Sequence, residues 1–131
     1  MLEKEFIPYE QALALKDLGF GESCYAWYVS KTYGLEFGLV HVEELIKDAI
    51  LAPTYSQAFR WFREIYNFRG FIGFRPNVKQ FDCHIYDMSL SGKEYVEQRT
   101  MEEYNKDPKV GTYEEAELEC LKKLIEIIKN K

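Results

Sequence analysis

The chain has 131 residues, of which 47% are hydrophobic, 16% aromatic and 30% charged, with a net charge of −5. The length suits one domain with its own core. The charge density excludes a membrane span, because no apolar run approaches the ~20 residues a span requires, and the negative sum argues mildly against non-specific binding to nucleic acid.

Met1 to Phe6 carries acids where a signal peptide needs a basic region. Cys24, Cys83 and Cys120 are odd in number and lack CxxC spacing, so they read as buried thiols in a reducing, cytoplasmic setting.

Pro8 to Leu18 reads as the first helix. Gly19 is placed as its left-handed C′ residue, with Phe20 folding back onto Leu15. Ser23 to Tyr33 alternates, with Tyr25, Trp27 and Val29 on one face and Cys24, Ala26 and Tyr28 on the other. It reads as a strand partly covered on both faces. Gly34 to Val40 reads as a glycine-punctuated connection. Val42, Leu45, Ile46, Ala49 and Ile50 then have helical spacing, ended by Ala52-Pro53.

The next helix is the centre of the chain. Tyr55, Ala58, Phe59, Phe62, Ile65 and Tyr66 fall on one face, with Arg60, Arg63 and Glu64 opposite and Trp61 at the boundary. Pro53 suits its first turn, and Asn67 and Gly70 are stop signals. The period then becomes two. Residues 69–75 and 80–88 read as strands of a hairpin around Pro76-Asn77-Val78-Lys79. Ser91-Gly92 turns the chain into another strand over 93–98, and 99–110 reads as an exposed polar loop. Thr112 and Glu115 form a capping box for a helix with Ala116, Cys120, Leu121, Leu124, Ile127 and Ile128 inward.

These pieces predict a single α+β domain over residues 1–131: a three- or four-stranded antiparallel sheet covered by helices on one face. The other face is left for function or a partner.

No P-loop, GxGxxG or GxSxG pattern occurs, and two histidines without CxxC spacing do not suggest a metal site or a cofactor. Cys83 and His84 are adjacent on a strand and point to opposite faces, so they cannot form a dyad. Asp82, His84 and Tyr86 share a face, which allows an acid–base row, but half-exposed strands often show such rows. No catalytic residue is assigned, and a non-enzymatic binding protein is favoured, with a small hydrolase as a lesser alternative.

One window stands out. Arg60, Arg63, Arg69, Arg75 and Lys79 face only Glu64 between residues 53 and 79, a local charge of +4, leaving −9 for the remainder. Arginine forks grip phosphate or carboxylate, and Trp61, Phe68, Phe71 and Phe74 could stack on a base. The expected pocket combines Arg60, Arg63 and Arg69 with Trp61. Arg75 and Lys79 extend it only for a longer polyanion, because residues at the two ends of one strand lie ~20 Å apart. The competing reading is a solvated helix face whose arginines pair with nearby acids.

Ile7 to Lys16, Ala52 to Glu64 and Thr112 to Leu118, taken together and in order, resemble short uncharacterised proteins encoded in prophages and mobile elements of gut bacteria. The resemblance implies a small accessory protein in the host cytoplasm and brings no active site with it. The expected partners are therefore a host protein or a small phosphate-bearing ligand, with nucleic acid as the alternative. A homodimer through the open sheet face or an edge strand is also expected.

Overall fold

The computed structural model describes residues 2–30, 34–40, 49–76, 80–88, 95–100 and 112–130. The fold is α+β. Among the described residues the strands divide between two three-stranded antiparallel sheets instead of joining in one. The chain falls into two compact units, Met1–Ala58 and Phe59–Lys131. Among the described residues no helix is long and apolar enough to cross a membrane.

In the first unit a 3-10 turn, Leu2–Glu5, precedes helix α1, Tyr9–Asp17. α1 ends as its sequence requires. Gly19 takes φ 102, the Gly19 N–H donates to the Lys16 carbonyl, and the Phe20 N–H donates to the Leu15 carbonyl at 2.9 Å. Strand β1, Cys24–Ser30, lies between β2, Gly34–Val40, and the short β3, Ile50–Leu51.

The face of β1 bearing Cys24, Ala26 and Tyr28 is covered. Phe6, Ala26 and Ala52 form a buried cluster with Tyr28 and Leu35 against it, and the Tyr28 hydroxyl donates to the Ile7 carbonyl at 2.8 Å. The opposite face is open at Tyr25, which is 66% exposed, and at Val29. The same face is partly covered at its centre, where Trp27 is half-buried and Leu51, directly opposite it in β3, is buried, so both faces of β1 are at least partly covered, as expected.

Gly34–Val40 is a strand where a connection was expected. Gly38, at φ 144, sits where the β1–β2 register shifts, so this glycine marks a bulge inside a strand and not a break between elements. Most of the helix expected to end at Ile50 lies outside the described residues; Ile50 itself pairs in β3 with Tyr28.

Helix α2, Tyr55–Tyr66, starts two residues after Pro53. Thr54 caps it by accepting from the Gln57 N–H at 3.1 Å, so Pro53 precedes the cap and is not in the first turn. Tyr55, Ala58 and Phe62 are buried as the period predicts. Two neighbours depart from it: Trp61 is 4% exposed and Ile65 is 58% exposed. Ile65 lies at nearly the same angle round the helix as Ala58 and Trp61, but in the last turn. Burial follows position along the axis as well as around it, and the cover ends before that turn.

In the second unit β4, Phe68–Arg75, pairs with β5, Gln80–Asp87, and β5 with β6, Tyr95–Thr100. The Arg75–Gln80 pairing fixes the four-residue connection. Helix α3, Tyr113–Lys129, packs on β4 and β5 and begins at Thr112, whose hydroxyl accepts from the Glu115 N–H at 3.2 Å. Phe68, Cys83, Ile85, Cys120, Leu121 and Leu124 are buried in this layer. Gly70 lets helix and sheet approach closely: a Cβ there would lie 2.9 Å from Leu124 Cδ1 and 3.2 Å from Cys120 Sγ.

Candidate functional site

Asn67 takes φ 60, the left-handed conformation that asparagine tolerates better than most residues, and so turns the chain from α2 directly into β4. The Met88 N–H donates to the Asn67 carbonyl at 2.7 Å and closes that end of the hairpin. The register then sets Arg69 opposite Tyr86, Phe71 opposite His84 and Gly73 opposite Asp82. Directly opposed residues share a face, so all six lie on the side of the sheet away from α3.

The rings form a parallel row. Phe71 stacks with His84 at 4.8 Å and 8° and with Tyr86 at 5.9 Å and 4°. Gly73 makes room for the imidazole, since a Cβ there would come 3.1 Å from His84 Nε2. The Arg69 guanidinium carbon stands 5.3 Å from the Phe71 centroid, inside cation–π range.

Exposure grades along the face, from Asp82 at 3% through half-buried His84, Phe71 and Tyr86 to exposed Arg69 and Met88. At the exposed end a hollow of about 360 Å³ is lined by Arg69, Phe71, Tyr86 and Met88. Among the described residues no carboxylate lies within ion-pair reach of Arg69. Among the described residues its charge is therefore not neutralised.

Arg69 is the one member of the expected pocket that lines this hollow. Arg60 is exposed and lies 4.0 Å from Glu64 one turn on, as the solvated-face reading holds. Arg63 is exposed on the same helix. Trp61 offers no free face to a ligand, because it is buried edge-on against Phe62 at 5.2 Å and Tyr66 at 5.4 Å. The Arg75 side chain and Lys79 lie outside the described residues. Phe71 stacks in the site, whereas Phe68 is buried under α3 and Phe74 pairs with Phe81 on the helix side of the sheet.

The sequence reading grouped Tyr86 with Asp82 and His84 but not with Arg69, and it missed Met88. Counting pairs back from the four-residue connection links Arg69 to Tyr86, so that signal was present.

His84 Nε2 is 3.9 Å from Asp82 Oδ2, close enough for charges to interact but too far for a hydrogen bond that would orient a base. The thiols are poor nucleophiles. Burial, reinforced by the charge of Glu22, pushes Cys24 up to about 12, and the neighbouring Cys83 thiol together with burial holds Cys120 far above the usual thiol range. Among the described residues no group of three or more His, Cys, Asp or Glu side chains could hold a metal. No family model, curated protein or solved structure matches the chain.

Proposed function

We propose that the chain is a small non-enzymatic accessory protein that binds a phosphate-bearing aromatic ligand, of mononucleotide size, in the hollow at Arg69. The observation that carries this reading is the Arg69 guanidinium beside the Phe71 and Tyr86 rings, with no carboxylate in ion-pair reach among the described residues. A guanidinium near a ring keeps N–H donors for an anion, and the rings supply a surface for a base. The hollow falls at the small end of the volumes that ligand sites occupy.

Three free, buried cysteines support a reducing compartment, in keeping with the host cytoplasm expected of a prophage accessory protein. A longer nucleic acid is the weaker reading, because Arg60 and Arg63 do not line the hollow.

The test is thermal shift and calorimetry at low salt with mononucleotides, cyclic dinucleotides and oligonucleotides. The expected result is a mononucleotide-induced shift that Arg69→Ala abolishes and Arg63→Ala leaves intact. If every ligand class fails to move the melting temperature, the hollow is only a crease in the sheet. A response confined to oligonucleotides, with a steep salt slope, would replace the mononucleotide with a nucleic acid.

A further inference from the structure

The two units divide the charge unevenly. The first carries nine acids against four lysines and no arginine; the second is neutral, with thirteen acids and thirteen bases, and holds all five arginines. All of the net charge of −5 therefore belongs to the first unit, and on that unit the outer face of β1 and β2 exposes Tyr25, Val29 and Glu36.

Trp27 and Tyr25 are two residues apart on β1, so they share this face at a spacing of ~7 Å. Glu36 is directly opposite Trp27 across the β1–β2 pairing, which sets their Cβ atoms ~5 Å apart on the same face. The Trp27 ring reaches across the strands to Gly38, where a Cβ would lie 3.5 Å from its outer carbons. That separation is ordinary van der Waals contact, so the indole lies against the backbone at position 38. Tyr25 and Glu36 are exposed and Trp27 is half-buried. Among the described residues Glu36 has no cationic side chain within ion-pair reach.

From this arrangement we infer that the outer face of the first sheet binds a cationic side chain, arginine or lysine, of a partner polypeptide. The cation lies against Trp27 and Tyr25, and Glu36 supplies the counter-charge. Each part has a physical role. An aromatic face attracts a cation through its quadrupole, most strongly for tryptophan. The adjacent carboxylate adds a charge-assisted hydrogen bond. The surplus of acids over the whole unit draws a basic segment towards that unit. Arginine suits the site better than lysine because its planar head both stacks and offers paired donors. The inference is independent of the ligand proposed for the second sheet.

The experiment uses the full chain and a short synthetic peptide carrying two arginines, with its citrulline counterpart as the uncharged control. The chain has two tryptophans, so its two indole N–H resonances report separately on Trp27 and on buried Trp61. The arginine peptide is expected to shift the Trp27 signal and leave Trp61 in place, while the citrulline peptide shifts neither. Glu36→Gln should weaken binding about two- to five-fold, the range set by one exposed ion pair. Glu10→Gln, an exposed acid on α1 away from this face, should change it far less. The inference fails if Trp27 does not respond, if citrulline serves as well as arginine, or if Glu10→Gln costs as much as Glu36→Gln. A Trp27 signal that moves with protein concentration alone would put a second copy of the chain on the face, and that too would overturn it.

Discussion

Each unit contains a three-stranded antiparallel sheet with one face packed in its core and aromatic side chains on the other. In the first sheet Trp27 faces Glu36; in the second Tyr86 faces Arg69. Cross-strand partners are the unit of interaction on a sheet face, so the two aromatic surfaces differ in the charge that stands beside them, negative at Trp27 and positive at Tyr86. Glycine also serves the two sheets differently. Gly38 supplies a positive φ at the bulge of β2, whereas Gly70 gives room on the covered face and lets a helix settle closer.

The largest expected effect tests the covered side of this comparison. Phe62→Ala removes a fully buried ring from α2 and should cost ~3–5 kcal/mol. A denaturant midpoint that does not move would show that α2 is not packed as described.

Gly70→Ala comes next. The added methyl must displace Leu124 Cδ1 or Cys120 Sγ, so ~1–3 kcal/mol of stability should be lost in chemical denaturation. The same measurement on Gly73→Ala should give a smaller loss, because there the obstacle is a half-buried imidazole that can shift. Equal losses would remove the distinction between the covered and open faces of the second sheet.

The helix starts differ between units as well. α3 has a side-chain cap from Thr112, and α1 begins at Pro8 with none. Thr112→Ala should therefore cost ~1 kcal/mol, and Thr112→Ser should largely retain the stability.

A pH titration separates the thiols. Cys24 has its folded value raised from 9.0 to about 12, so the folded state holds this proton more tightly than the unfolded chain does. Its contribution is complete below pH 9.0 and is lost as pH rises towards about 12, with on the order of 1 kcal/mol gone after the first pH unit. Cys24→Ala should flatten that alkaline limb in denaturation curves recorded across the window. If the slope is unchanged, the titrating group lies elsewhere; Cys120, Tyr28 and Tyr113, all raised in part by burial, are the alternatives.

Much of this fold was legible in the sequence because its signals are local. The Leu15–Phe20 ending of α1, the Thr112 cap and the 69–75 and 80–88 hairpin depend on residues close together in the chain, and each formed where those residues placed it. Strand β2 was not legible. Gly34 and Gly38 resemble breakers, and only pairing with β1 turns Gly38 into a bulge within a strand. Periodicity located the buried side of α2 but not the end of its cover, which is why Ile65 is exposed; Trp61, read at the boundary, is buried. In the candidate site Arg69 and Phe71 were visible as chemistry. Their association with Tyr86 depended on strand register, and Met88 was carried in by the closing bond to Asn67.

The irregular pairing of β2 has a consequence for self-association. Among the described residues β2 is an edge of the first sheet, and its pairing with β1 shifts register twice, between Cys24 and Ala26 and again between Tyr28 and Ser30. Irregularities of this kind twist an edge and break its even ladder of donors and acceptors, one of the ways proteins prevent sheets from growing by strand addition. A fibril needs a straight, continuous template, and this rim does not provide one. Concentrated solutions of the chain should therefore resist seeding along β2, and substitutions that straighten the bulge at Gly38 should be the ones that begin to gel.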